Sequence, residues 1–201
     1  MRFLAALPLF CAIGSFSAAG VVQTAAAEGL NPAPAAAFGA YQAFELKPLA
    51  ISDELKASDT GVKATGKIQE NIDARLKPII EGWAKMNEGQ NKDKSNGSTL
   101  VFEPSVDDLR FIGGAKRFFA GALAGSSHVV MKLKIVEQPS GKVIAEPEFY
   151  QRASGMAGAW TVGAHDNTML SRVVELAANY MSQNFVGAVG GPSGREEEQK
   201  K

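Results

Sequence analysis

His165 is followed directly by Asp166, and Ser126 and Ser127 precede a strand-like run, so a Ser-His-Asp arrangement is the first chemistry these residues suggest. Neighbours at a helix start rarely point at one another, and Asp166 or Asn167 is also placed to cap a helix. The hydrolase reading, His165 and Asp166 with a nearby serine, therefore stands as the alternative to a capping one. Asp107 and Asp108 could share a cation, but no histidine or further carboxylate lies near them in sequence, and a solvated bulge is the simpler reading. His128 opens a strand and reads as half-buried structure. Two histidines and one cysteine fall short of a zinc set, so no metal is expected. The chain has no Gly-x-Ser-x-Gly elbow, phosphate loop, dinucleotide fingerprint or His-Glu-x-x-His, and no cofactor is expected either.

A different constellation suits binding. The stretch GGAKRFFAGALAGSSH, residues 113–128, carries Lys116, Arg117, Phe118 and Phe119, and SGMAGAWTVGAHD, residues 154–166, carries Trp160, His165 and Asp166. Arg117, Phe118, Phe119, Trp160, His165 and Asp166 form the candidate binding set: aromatic, cationic and polar groups on glycine-rich backbone. Two readings stay open. The aromatics fold inward and close the end of a small core, or they stand exposed and mark a partner site. An interfacial membrane role is the third; RFFAGALAG is too short to span.

The elements that must position these residues follow from periodicity. Tyr41–Ile51 sets Phe44 and Leu46 on one side, with Pro48 limiting ladder bonding, and reads as an edge strand. From Lys63 to Met86, Ile68, Ile72, Leu76, Ile79, Ile80 and Trp83 recur at spacings of three and four, giving an amphipathic helix with a kink or restart expected at Pro78. Residues 87–98 read as a solvated loop, and 99–112 as one strand with a bulge near Asp107 and Asp108, or two short strands. HVVMKLKIVEQ alternates Val129, Met131, Leu133 and Ile135 against Lys132 and Lys134, turns at 139–142, and returns through VIAEPEFYQRA. A final helix carries Met169, Leu170, Val173, Leu176, Ala177, Tyr180 and Met181 in phase. The fold class is α+β: two layers, a mostly antiparallel sheet of about four strands with two helices on one face, in the order strand-helix-strand-strand-strand-helix. Because the turn at 139–142 takes one end of the hairpin, both glycine-rich segments must leave from the other.

The first 27 residues hold one charge, Arg2, then an apolar run and Ala25-Ala26-Ala27, the layout of a secretory signal with an A-x-A cleavage site. Residues 1–27 are thus expected as signal peptide, 28–40 as linker, 41–185 as a single domain and 186–201 as a disordered tail. An uncleaved anchor is the rival, since residues 3–27 carry no charge. Cleavage would remove Cys11, the only cysteine, and leave 20 basic against 21 acidic residues. That balance gives no field to hold a nucleic acid. The mature chain is expected to be exported, periplasmic or secreted, with no transmembrane span; composition says nothing of its oligomeric state.

The run RFFAGALAGSSHVVMKLKIVEQPSGKVIAEPEFYQRA, followed by GAHDNTMLSRVVELAANYMSQNF, resembles a group of uncharacterised bacterial exported proteins and lipoproteins sharing a domain of unknown function. The matching features are Ala124–Ser127, Ser140-Gly141 and Gly163–Leu170, within a likeness over about residues 42–185. More distantly, the element order looks like the βαβββα modules of curli-secretion and peptidoglycan-synthase-activator lipoproteins. The resemblance implies a non-enzymatic envelope role; the aromatic and basic residues of the two glycine-rich segments are what suggest another cell-envelope protein as partner. Phe10 stands before Cys11 where a lipobox has a small residue, so lipid attachment is not implied.

Overall fold

A computed structural model describes residues 30–90, 97–111, 126–153 and 164–197. In chain order the elements are β1 (Leu30–Asn31), β2 (Ala43–Leu46), β3 (Ala50–Ile51), α1 (Asp53–Lys56), α2 (Asp59–Gln90), β4 (Thr99–Arg110), β5 (His128–Gln138), β6 (Lys142–Ala145), β7 (Glu148–Arg152), α3 (Ala164–Gln183) and β8 (Gly191–Pro192). Single 3-10 turns follow at Phe38–Ala40 and Arg195–Glu197.

The alternating run builds the centre of the sheet. Val129, Met131, Leu133 and Ile135 of β5 are fully buried on the inner face, while His128, Lys132 and Lys134 take the outer one. β4 lies antiparallel beside it, with Phe102 opposite Ile135 and Val106 opposite Met131. β6 and β7 together form the next position, parted at Glu146 and Pro147, and β2 with β3 form the far edge, parted around Pro48. Proline has no N–H for a ladder, so a strand that meets one at an edge breaks there. β2 and β3 run parallel to β4, which requires a crossover, and α2 supplies it. The result is the α+β order expected: four sheet positions, mixed in direction, with the helices packed on the inner face.

α2 and α3 join the same core. Ile68, Ile72, Leu76, Ile80 and Trp83 of α2 meet Met169, Leu170, Val173, Val174, Ala177, Tyr180 and Met181 of α3 over the inner sheet face. Of the kink or restart expected at Pro78, the restart does not occur: α2 runs unbroken for 32 residues and takes in Asn87–Gln90, which composition placed in a loop. Five large side chains buried at ~1.5–3 kcal/mol each exceed the ~3 kcal/mol that an interior proline costs, so the stripe holds the helix through it.

Residues 30–40, expected as linker, and 186–197, expected as disordered tail, are part of the fold. Phe38 is fully buried, edge-on to Phe102 at 5.6 Å and near Trp83 and Tyr180 at 6.3 Å. β1 pairs with β8, Leu30 opposite Pro192 and Asn31 opposite Gly191. Fully buried Asn184 closes the end of α3: its Nδ2 donates to the Tyr180 and Gly190 carbonyls, and its Oδ1 accepts from Val189 and Gly190 N–H, all within 2.8–2.9 Å. Alanine, proline and glycine suggested linkers because local composition does not register partners more than a hundred residues away. The proposed signal, residues 1–27, lies outside the described residues.

Candidate binding surface at the open end of the hairpin

Arg110 of β4, His128 of β5 and Arg152 of β7 stand side by side in register, the last row of the sheet. Beyond that row the backbone N–H of Ala153 donates to the Ser127 carbonyl at 2.9 Å. The stretch 112–125 closes the β4–β5 hairpin and 154–163 leads from β7 to α3, so the two glycine-rich segments are rooted one ladder bond apart.

A β-bulge shapes the outer face at this end. The register slips between Val106 and Asp108, so Asp107 is extra to the ladder and Asp108 faces Val130. Asp108 Oδ2 then meets His128 Nε2 at 2.8 Å, and Asp107 Oδ2 meets Lys132 Nζ at 2.6 Å. The hydrogen bond and charge of Asp107 hold Lys132 above the usual lysine pKa against a small desolvation effect, with Glu148 and Glu146 adding to the rise. One row on, Arg195 pairs with Glu148 at 2.5 Å and lies over the Tyr150 ring at 4.8 Å, while that ring stands 6.1 Å from His128. Two of these pairs, Asp108–His128 and Asp107–Lys132, are cross-strand pairs between β4 and β5.

Arg117, Phe118, Phe119 and Trp160 lie outside the described residues, so the choice between core-closing and exposed aromatics stays where the sequence left it. The backbone of His165 and Asp166 falls within the first turn of α3, which begins at Ala164, rather than ahead of it as a cap requires. Ser126 Oγ accepts from Arg152 Nε, a group that does not take up a proton, and Ser127 is fully buried. His128 Nδ1 faces the Ser126 carbonyl oxygen at 3.4 Å and Nε2 faces Asp108, so the ring is placed to donate rather than to activate a hydroxyl. Sequence reasoning missed this pairing because 20 residues separate the partners. The signal lay in the expected bulge: register counted from it sets Asp108 beside the first residues of β5. Among the described residues no group of three His, Cys, Asp or Glu could hold a metal, and no helix is long and apolar enough to cross a membrane.

The fold and this surface define a two-layer α+β protein with two glycine-rich segments rooted together at one sheet end. No protein-family model matches the chain, and no curated protein matches it. Among solved structures, a PelC dodecamer from Paraburkholderia phytofirmans aligns at 15% identity and TM-score 0.36, covering 71% of this chain and 90% of that one. Protein XCC0632 from Xanthomonas campestris, of family DUF330, aligns at 11% identity and TM-score 0.37, covering 85% and 94%. The hypothetical protein CT253 from Chlamydia trachomatis aligns at 9% and 0.35, covering 72% and 100%. At TM-scores below 0.5 these likenesses decide neither fold nor function, and the architecture above rests on the chain's own register.

Proposed function

We propose that this chain is the precursor of an exported cell-envelope protein that acts by binding another envelope protein, through the two glycine-rich segments at the open end of the sheet. The observation that carries the reading is the Ala153–Ser127 bond, because it roots the segments bearing Arg117, Phe118, Phe119 and Trp160 beside one another. Segments rooted on adjacent strands at one sheet end suit a composite surface, and aromatic and arginine side chains supply most contact energy in such surfaces. The signal-like segment supports export. The resemblance to exported proteins and lipoproteins of the bacterial envelope supports an accessory rather than catalytic role.

The test is photo-crosslinking in cells, with the crosslinking residue at position 119 and separately at 160, and at exposed Lys77 on α2 as control. The reading expects one protein captured from both loop positions and not from position 77. Crosslinks confined to the chain itself at both loop positions would place those aromatics in the core and end the docking hypothesis.

A further inference from the structure

Two stretches near the ends of the described chain lie against each other and carry no charge. From Leu30 to Phe44, and again from Leu176 to Gly194, every side chain is neutral. Leu30 stands opposite Pro192 and Asn31 opposite Gly191, and the Phe38 and Gly39 N–H groups donate to the carbonyls of Asn184 and Phe185 at 2.9 and 2.8 Å. Between these bonds Gly190 packs so closely that a Cβ there would come within 2.5 Å of the Asn31 carbonyl oxygen. The stretches therefore form one strip. Along it Val186 is 92% exposed and Val189 69%, the two highest values among the large apolar side chains described, with Leu30 at 46% and Ala33, Ala35 and Ala188 also open. Single exposed valines are ordinary, whereas several apolar side chains together on an uncharged surface mark an association face. The valines are also held out by design of the loop that carries them. Asn184 Oδ1 accepts the Val189 and Gly190 N–H groups at 2.8 and 2.9 Å, so the loop is fixed before anything binds and association orders little of it.

We propose that this strip is the face on which two copies of the chain pair about a twofold axis. Charge selects the occupant. A partner of different sequence that brought charged groups to the strip would desolvate them against side chains unable to pair with them. A second copy brings the same neutral surface, so no like charges meet across the axis. The strip also sets large beside small, with Val186 and Val189 on one stretch and Ala33 and Ala35 on the other. In a twofold pair residue i meets j where j meets i, so the valines of each copy lie toward the alanines of its mate. Val186 and Val189 follow the C-terminal end of α3, whereas residues 154–163 lead to its N-terminal end. Its 20 residues span about 30 Å, so pairing here leaves the open end of the sheet clear for a different protein.

The test crosslinks two full-length versions of the chain made together in its own cells, both with Cys11→Ser, which removes the one native thiol. One version carries Val186→Cys and a mass tag, and the other carries Ala35→Cys. A short membrane-permeant bismaleimide joins thiols that lie close together, whatever the compartment, and mass spectrometry identifies the product. The control replaces Val186→Cys by Val62→Cys on α2, where the native valine is 53% exposed. The expected result is a dimer linking position 186 of one copy to position 35 or 186 of the other, at least tenfold above the dimer formed through position 62. Adding Val189→Asp to both versions should cut that dimer at least tenfold while the far-ultraviolet circular dichroism of the purified chain stays unchanged, because the position is open in the single copy. Dimer through position 186 no higher than through 62, or a product joining 186 to a different protein, would overturn the pairing. So would a dimer that Val189→Asp leaves at full yield.

Discussion

The side chain of Asn31 and the backbone of Glu148 are hydrogen-bonded in both directions: Nδ2 donates to the Glu148 carbonyl at 2.8 Å, and Oδ1 accepts its N–H at 2.9 Å. The amide thus imitates a neighbouring peptide at the free edge of β7. Further along that edge Tyr150 N–H donates to the Ser193 carbonyl at 2.7 Å, and Ala35 N–H donates to the Ile144 carbonyl of β6. An unpaired strand edge invites association with other chains, and here both terminal segments cover it.

Replacing Asn31 by Ala leaves the Glu148 donor and acceptor partly buried without their partners. The cost is about 1–3 kcal/mol, since unmet buried groups lose their full solvation. Urea unfolding should show a lower midpoint with an unchanged slope. A midpoint within error of the natural chain would mean that water replaces the amide freely and that the edge is not sealed.

The central sheet and both long helices were legible in the sequence because their signals are local. Alternation from Val129 to Ile135, the stripe from Ile68 to Trp83 and the phase slip at Asp107 each lie within a short window, and each became the element they implied. The helix carries on through Pro78 because burial of the stripe on both sides outweighs the local cost of the proline. Asn31, Phe38, Asn184 and Gly194 were illegible for a different reason: their partners stand on other elements, and their surroundings in sequence resemble a linker or tail. Of the candidate site, topology alone gave the shared root of the two glycine-rich segments. The His128–Asp108 pair required the register.

Gly194 and Gly141 both have positive φ, 90° and 72°, yet their substitutions should differ. A Cβ at Gly141 meets nothing within 4 Å, so Gly141→Ala costs about 1–2 kcal/mol of backbone strain alone. A Cβ at Gly194 would collide with the Tyr150 carbonyl oxygen and come within 2.8 Å of Leu176 Cδ1. Gly194→Ala should therefore cost more than Gly141→Ala and free the turn at Arg195–Glu197, read as faster amide exchange at Tyr150, whose N–H is held by Ser193. Equal midpoints for the two variants, with exchange at Tyr150 unchanged, would show that the C-terminal turn is not fixed by that packing.

Burial raises the pKa of the Tyr180 phenol above its ordinary 10, and burial together with the charge of Glu137 raises that of Tyr41. A phenol whose folded pKa exceeds its unfolded one contributes stability that is complete below about pH 10 and is lost as pH rises toward the folded value, because the unfolded chain then binds fewer protons. Unfolding midpoints should fall as pH rises past 10. Tyr180→Phe should make that fall shallower without abolishing it, since Tyr41 remains. At pH 7 the same variant should lose about 0.5–1.5 kcal/mol with its bond to Pro32. An identical alkaline slope in both chains would show that Tyr180 is not the group resisting ionisation.

Pro78 stands exposed in the middle of α2, where it has no N–H for the carbonyl of Ala74 and its ring crowds the preceding turn. Replacing it by Ala restores that bond and removes up to ~3 kcal/mol of interior-proline cost. Against this, the unfolded chain gains freedom worth about 0.4–1 kcal/mol when the ring is lost. The first term is the larger, so Pro78→Ala should stabilise the protein by about 1–2 kcal/mol, seen as a higher unfolding midpoint at pH 7. A destabilised variant would mean that the bend imposed by proline is what seats Leu76 on one side and Ile80 and Trp83 on the other against the same core, with the helix curved by sequence rather than held against its preference.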